Sequence, residues 1–232
     1  MQIGEKDKSE DCLFLNIYVP HNHFNEQTKH MKKSVMFWIY GGGFLTGTIS
    51  DFNGTYLSLI GDVIVVEVNY RLAAFGFLYD GSEEAPGNQA LTDFLVALQF
   101  VHNNIEYFGG DPHSVTIFGQ SAGSMSVSAL ILMKNRNLFQ RAIMQSGSVN
   151  SYYGSQSKES ALIKAQELAK HFNCFNNETQ KVNFSCLRKI ESKLITEYCD
   201  KNKINAIFFT PIFGDHLLPT NPSIALQRGE YK

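Results

Sequence analysis

Apolar positions along this chain follow two rhythms. Val35 to Tyr40, Val63 to Tyr70, Val115 to Phe118 and Ala142 to Ser146 are short, nearly continuous apolar runs rich in β-branched and aromatic residues. Runs of this kind predict strands buried on both faces. Leu13 to Val19 alternates well enough to be a further strand, closed by Pro20 and a polar connection to about Lys33. Between the runs a helical period takes over. From Asn88 to Phe108, apolar residues at Leu91, Phe94, Leu95, Leu98, Val101 and Ile105 line one helix face, and Gly109-Gly110-Asp111-Pro112 ends it. Met125 to Met133 reads as a second helix. Strands alternating with helices predict an α/β fold whose central sheet is mostly parallel and covered by helices on both faces.

After Ser151 the pattern changes. Lys158 to Phe172 is spaced as an amphipathic helix, Leu187 to Tyr198 as a shorter one, and Phe208 to Phe213 is apolar but broken by Pro211. The expectation is a single domain, with a sheet core over residues 1–150 and a helical insertion over the sheet in residues 151–232. No internal repeat or long linker interrupts it.

Composition narrows the function classes. A chain of 232 residues with 44% hydrophobic and 12% aromatic content has the means to bury a large core. Its net charge of −2 offers no broad basic surface for nucleic acid and suits a small-molecule substrate. The densest basic stretch, Lys29-His30-Met31-Lys32-Lys33, is expected in a solvated loop. No apolar run reaches the length needed to span a membrane.

Gly119-Gln120-Ser121-Ala122-Gly123 sits where the Val115–Phe118 strand meets the following helix, a corner called the elbow. A bare G-x-S-x-G arises by chance roughly once in a dozen chains of this length, so the pentapeptide alone carries little weight. Its setting carries more. A sharp strand-to-helix turn needs small residues two positions before and after the serine, and it leaves Oγ clear at a helix N-terminus that favours negative charge. Upstream, the Val35–Tyr40 run opens into Gly41-Gly42-Gly43-Phe44. Backbone N–H groups approach a tetrahedral oxyanion closely when no Cβ intervenes, so this loop together with the N–H of Ala122 predicts an oxyanion hole.

Cys174 and Cys186 bracket a short polar segment, as a disulfide-closed surface loop would, and such a bridge contributes about 3 kcal/mol in the loop-entropy account. Spacing alone does not assign connectivity among these two, Cys12 and Cys199. No Cys-x-x-Cys or Cys/His ligand spacing occurs, so neither a zinc site nor a cofactor is expected. Asn53, Asn177 and Asn183 head acceptor sequons, whereas Asn221 is excluded by Pro222. The N-terminal residues lack the apolar centre of a signal peptide, yet the sequons and cysteines point to the secretory pathway.

The order and spacing of these residues resemble the type-B carboxylesterase and cholinesterase family of α/β-hydrolases. The likeness rests on Ser9-Glu10-Asp11-Cys12-Leu13-Phe14-Leu15-Asn16, Gly41 to Phe44, Asn69-Tyr70-Arg71, Phe75-Gly76-Phe77-Leu78, Ala85-Pro86-Gly87-Asn88, Phe108 to Pro112 and the elbow. It weakens through Gln145-Ser146-Gly147-Ser148 towards the end of the chain. The resemblance implies that Ser121 is the nucleophile, that Gly42, Gly43 and Ala122 donate the oxyanion N–H groups, and that Cys174 pairs with Cys186. It also implies a buried Glu10–Arg71 salt bridge.

Departures from the family pattern bear on substrate. Gln120 stands where members usually carry glutamate, which removes a carboxylate from a cationic ester. Tyr153, Asn205 and Ile207 look equivalent to the bulky aromatics of a cholinesterase acyl pocket, implying room for larger acyl groups. The family's triad acid and histidine would lie beyond Lys232, and the cysteine that members pair with Cys12 before Met1. The expectation is therefore a fragment without activity of its own, whose Ala142–Ser146 strand forms an apolar sheet edge of poor solubility. His171 reads as a helix-end residue. Asp215-His216 reads as loop polar residues, because neighbours in an extended segment point opposite ways. The leading function is a serine hydrolase of uncharged carboxylic esters acting through an acyl-enzyme. A cholinesterase-like adhesion module and a truncated inactive product are the alternatives.

Overall fold

A computed structural model describes residues 9–20, 32–133, 137–202 and 209–231. In chain order its elements are β1 (Leu15–Tyr18), β2 (Lys33–Ile39), α1 (Thr55–Gly61), β3 (Ile64–Val68), α2 (Ala73–Phe77), α3 (Gln89–Asn104), β4 (Gly110–Gln120), α4 (Ala122–Leu132) and β5 (Arg141–Gln145). Then follow β6 (Gln156–Ser157), α5 (Lys158–His171), β7 (Phe175–Asn176), β8 (Lys181–Val182), α6 (Phe184–Leu187), α7 (Ser192–Asn202), β9 (Ile212–Phe213) and α8 (Pro222–Gln227).

The main sheet runs β1-β3-β2-β4-β5, with β1 antiparallel to β3 and the other neighbours parallel. All five residues of β3 are buried, the signature of a strand covered on both faces. Val35, Phe37, Ile39, Ile64, Val66, Val115 and Ile117 are wholly buried and meet Leu91, Phe94, Leu98 and Val101 of α3 in one core. Each large side chain buried in this way contributes about 1.5–3 kcal/mol relative to exposure. At the far side β5 is the edge among the described strands. Ile143 and Met144 are 45% and 51% exposed there, so the apolar edge expected from sequence is present.

Most element boundaries follow the hydrophobic rhythm, and the exceptions have local causes. The helix expected over Asn88–Phe108 is α3 followed by a tighter turn at Ile105–Phe108, which Gly109 closes in the left-handed region (φ 79°). Lys33 is not in a solvated loop. It opens β2, 8% exposed, with Nζ 2.6 Å from Asp62 Oδ2. The helix expected over Leu187–Tyr198 starts later and runs further, as α7 from Ser192 to Asn202, while Leu187 closes the separate short helix α6. Asn183 caps α6 by accepting from the Cys186 N–H at 3.0 Å, and α7 starts afresh where the Glu191 carbonyl accepts from Leu194 and Ile195.

Cys174 and Cys186 are joined, with Cα atoms 5.4 Å apart, and they form a small core with Ala169 and Leu187. From the same half of the chain Leu168, Tyr198, Cys199, Phe209, Leu218 and Ala225 enter the main core. A polar tie between the halves is Asn88, fully buried and left-handed (φ 59°), a conformation that asparagine tolerates better than most residues. Its Nδ2 donates to Ile212 O and Asp215 Oδ2, each at 2.9 Å, and its Oδ1 accepts from Ile212 N–H at 2.8 Å. Among the described residues no helix is long and apolar enough to cross a membrane.

Candidate active site

Ser121 joins β4 to α4 with φ 55° and ψ −120°, a conformation outside the favoured regions for a side-chain-bearing residue. Such strain costs about 1–3 kcal/mol and persists only where surrounding contacts impose it. Here the contacts are backbone on backbone. A Cβ on Gly123 would lie 2.0 Å from the Ile39 carbonyl oxygen, so only glycine lets α4 start this close to β2. The Ser121 N–H is fixed to Gln145 O at 2.9 Å. Ala122, wholly buried, opens the eleven-residue α4, so its N–H belongs to the unsatisfied first turn.

The glycine loop leaves β2 directly beside the elbow. The position of a Gly41 Cβ falls 3.1 Å from Ser121 Cβ and 2.8 Å from Gln120 Oε1. Gly42 has φ 125° and lies against Thr46 O, and its own carbonyl accepts from Leu45 and Thr46. Gly43 has open space around it. Two aromatic anchors hold the loop. Tyr70 donates its hydroxyl to Tyr40 O at 2.9 Å and stacks on the Tyr40 ring at 4.6 Å, so burial raises both phenols and keeps this wall uncharged. At the other end Phe44 is 1% exposed at φ 59°, packed edge-on against Phe77 and accepting from Ala73 N–H at 2.7 Å.

The sequence-derived candidates therefore divide. Ser121, Ala122, Gly42, Gly43 and Gln120 are gathered at the junction of β2 and β4. Tyr153 is 56% exposed with its ring edge-on to Tyr152, while Asn205 and Ile207 lie outside the described residues. The sequon residues Asn53, Asn177 and Asn183 are all exposed. None of the described histidines reaches Ser121. His102 and His113 face each other at 5.9 Å, His171 packs against Phe172 and Tyr198, and His216 is exposed. Asp215 does not orient His216, since its Oδ1 accepts from Leu217 and Leu218 N–H and its Oδ2 from Asn88.

The implied Glu10–Arg71 bridge is corrected. Arg71 gives Nε and Nη2 to Asp93, with Nη2–Oδ1 at 2.7 Å, and its backbone N–H also donates to Asp93. That hydrogen bond raises the guanidinium pKa, while Glu10 stays exposed. Asp93 wins because α3 brings its carboxylate, 5% exposed, close to the end of β3, and a buried charge needs a partner, which the half-exposed Arg71 guanidinium supplies. Sequence offered no signal for this pairing beyond an aspartate on the inner side of an apolar helix.

The family model described as the carboxylesterase family matches residues 1–232, and the chain belongs to that family, whose fold is the α/β-hydrolase fold. Acetylcholinesterase-1 of Trittame loki is 42% identical over 225 residues, which is 91% of this chain and 40% of that protein. Acetylcholinesterase of Bungarus fasciatus is 42% identical over 97% of the chain and 37% of its own length. Cholinesterase 1 of Branchiostoma lanceolatum is 40% identical over 97% and 64%. The chain thus spans less than two thirds of the length of each of these relatives.

Proposed function

We propose that this chain supplies the nucleophile and oxyanion hole of a serine hydrolase of uncharged carboxylic esters. The observation that carries the reading is the imposed Ser121 conformation beside the Gly41–Gly43 loop. Ser121 Oγ attacks the ester carbonyl, and the N–H groups of Gly42, Gly43 and Ala122 take the developing oxyanion. A histidine from outside the described residues accepts the Ser121 proton and returns it to the leaving alcohol, and water then releases the acid. The names of the relatives raise choline esters as a second reading, but Gln120 places no carboxylate next to the nucleophile to meet a quaternary ammonium. Tyr153, Asn205 and Ile207 are assigned to the acyl side of the pocket. The disulfide and the exposed sequons favour an oxidising, secretory compartment, and the substrate is a small molecule rather than nucleic acid.

The test is hydrolysis of p-nitrophenyl acetate and of acetylthiocholine by the full-length protein and by Ser121→Ala. The reading expects serine-dependent turnover that favours the uncharged ester. Turnover surviving in Ser121→Ala overturns the nucleophile assignment, and a preference for acetylthiocholine overturns the substrate class. No turnover of either ester leaves the adhesion-module reading in its place.

A further inference from the structure

Ser124, the third residue of α4, has no exposed surface, and its hydroxyl donates to the Gly147 carbonyl oxygen at 2.6 Å. That carbonyl belongs to the turn after β5, where Ser146 is left-handed at φ 58°. The turn backs onto the elbow itself. A Cβ on Gly147 would lie 2.5 Å from the Ser121 carbonyl oxygen and 3.2 Å from its carbonyl carbon. One residue before Ser146, Gln145 O accepts the Ser121 N–H. Both faces of the Ser121 backbone thus meet the same few residues, and Ser124 ties them back to the helix that Ser121 begins. Ser128 and Ser148 extend the tie, their hydroxyls 3.2 Å apart.

We propose that Ser124 is a positioning residue for the nucleophile: by holding the Ser146–Ser148 turn against the elbow, it keeps the Ser121 backbone in the conformation that presents Oγ to the oxyanion loop. The proposal rests on the reading of Ser121 as nucleophile. Its physical basis is the strain at Ser121, which relaxes when a contact that imposes it is loosened. Ser126 provides an internal control. It is equally buried on the same helix, but its hydroxyl bonds the Ala122 carbonyl at 3.0 Å within α4 and does not reach the turn.

The experiment compares Ser124→Ala and Ser126→Ala with the parent protein in two readouts. In steady-state hydrolysis of p-nitrophenyl acetate, Ser124→Ala lowers kcat by roughly fivefold, the equivalent of one hydrogen bond, while KM stays within about twofold. In hydrogen exchange the Ser121 amide of Ser124→Ala exchanges roughly fivefold faster, while amides of the central strands keep their protection. Ser126→Ala shows neither change. Equal kcat and equal Ser121 exchange in the two variants overturn the proposal, as does a loss in Ser124→Ala that falls on KM alone. If the parent protein hydrolyses no ester, the functional reading fails, and Ser121 exchange alone still decides whether Ser124 holds the elbow.

Discussion

Between β2 and α4 close backbone contacts do most of the positioning: Ile39 O, Gly123 and the parallel register of β2 with β4 confine Ser121 from one side, and the turn tied down by Ser124 backs it from the other. After Ser151 the strands are two residues long, and besides the disulfide and the apolar residues that reach the main core, single polar side chains fix the turns and helix starts. Asn88 clamps β9, Ser157 caps α5, Asn183 caps α6 and Asp215 closes its own turn. The first mode leaves no space for even one added methyl group, since a Cβ on Gly123 would fall 2.0 Å from Ile39 O. The second spreads the work over hydrogen bonds worth about 1 kcal/mol each, so it degrades in steps.

Substitutions at each region test this contrast. Gly123→Ala is the severest, because its Cβ meets backbone that has no rotamer to give, and unfolding in denaturant should show a loss of about 4 kcal/mol or more. A loss below about 1 kcal/mol would mean that the elbow is softer than its contacts imply. Asn88→Ala comes next. It strands the Ile212 N–H and C=O in the core and costs about 2–4 kcal/mol, and deleting the side chain should loosen the β6–β9 pairing before the main sheet in hydrogen exchange. Simultaneous loss of protection in β2 and β4 would erase the distinction between the regions.

The smallest effect concerns β3. Glu67 is 2% exposed, and burial raises its carboxyl pKa, opposed by hydrogen bonds from Tyr18, Asn16 and the Gly54 N–H. The folded state therefore binds this proton more tightly than the unfolded chain. The associated stability is fully present below the unfolded carboxylate range and is lost as pH rises through the folded value. Glu67→Gln should consequently raise Tm relative to the parent more at pH 7 than at pH 4. A difference independent of pH would show that the Glu67 pKa is the same in the folded and unfolded chains. The lone Trp38, paired in register with Glu67, supplies a fluorescence signal for the same transition.

The elbow, the glycine loop and the strand–helix alternation were legible in the chain because each is written in neighbouring residues. Val115–Phe118 marks buried strand, Gly119 and Gly123 mark the sharp turn, and Leu91 to Ile105 marks one helix face. Less was legible wherever two distant residues compete for one partner. The family pattern implied Glu10 for Arg71, but the two carboxylate oxygens of Asp93 accept from three Arg71 donors, its backbone N–H, Nε and Nη2. Asn88 and Ile212 stand 124 positions apart, and no periodicity relates them.

By itself, the sequence determined the α/β alternation, the residue that sits at the strand-to-helix corner and the loop beside it, because hydrophobic period and glycine placement are local constraints on φ and ψ. Only the tertiary structure decided that Ser121 is held strained from both sides, that Ser124 reaches the turn after β5, and that Arg71 belongs to Asp93. Those outcomes depend on which buried donors and acceptors meet once the sheet has closed, and burial makes an unmet partner too costly to leave.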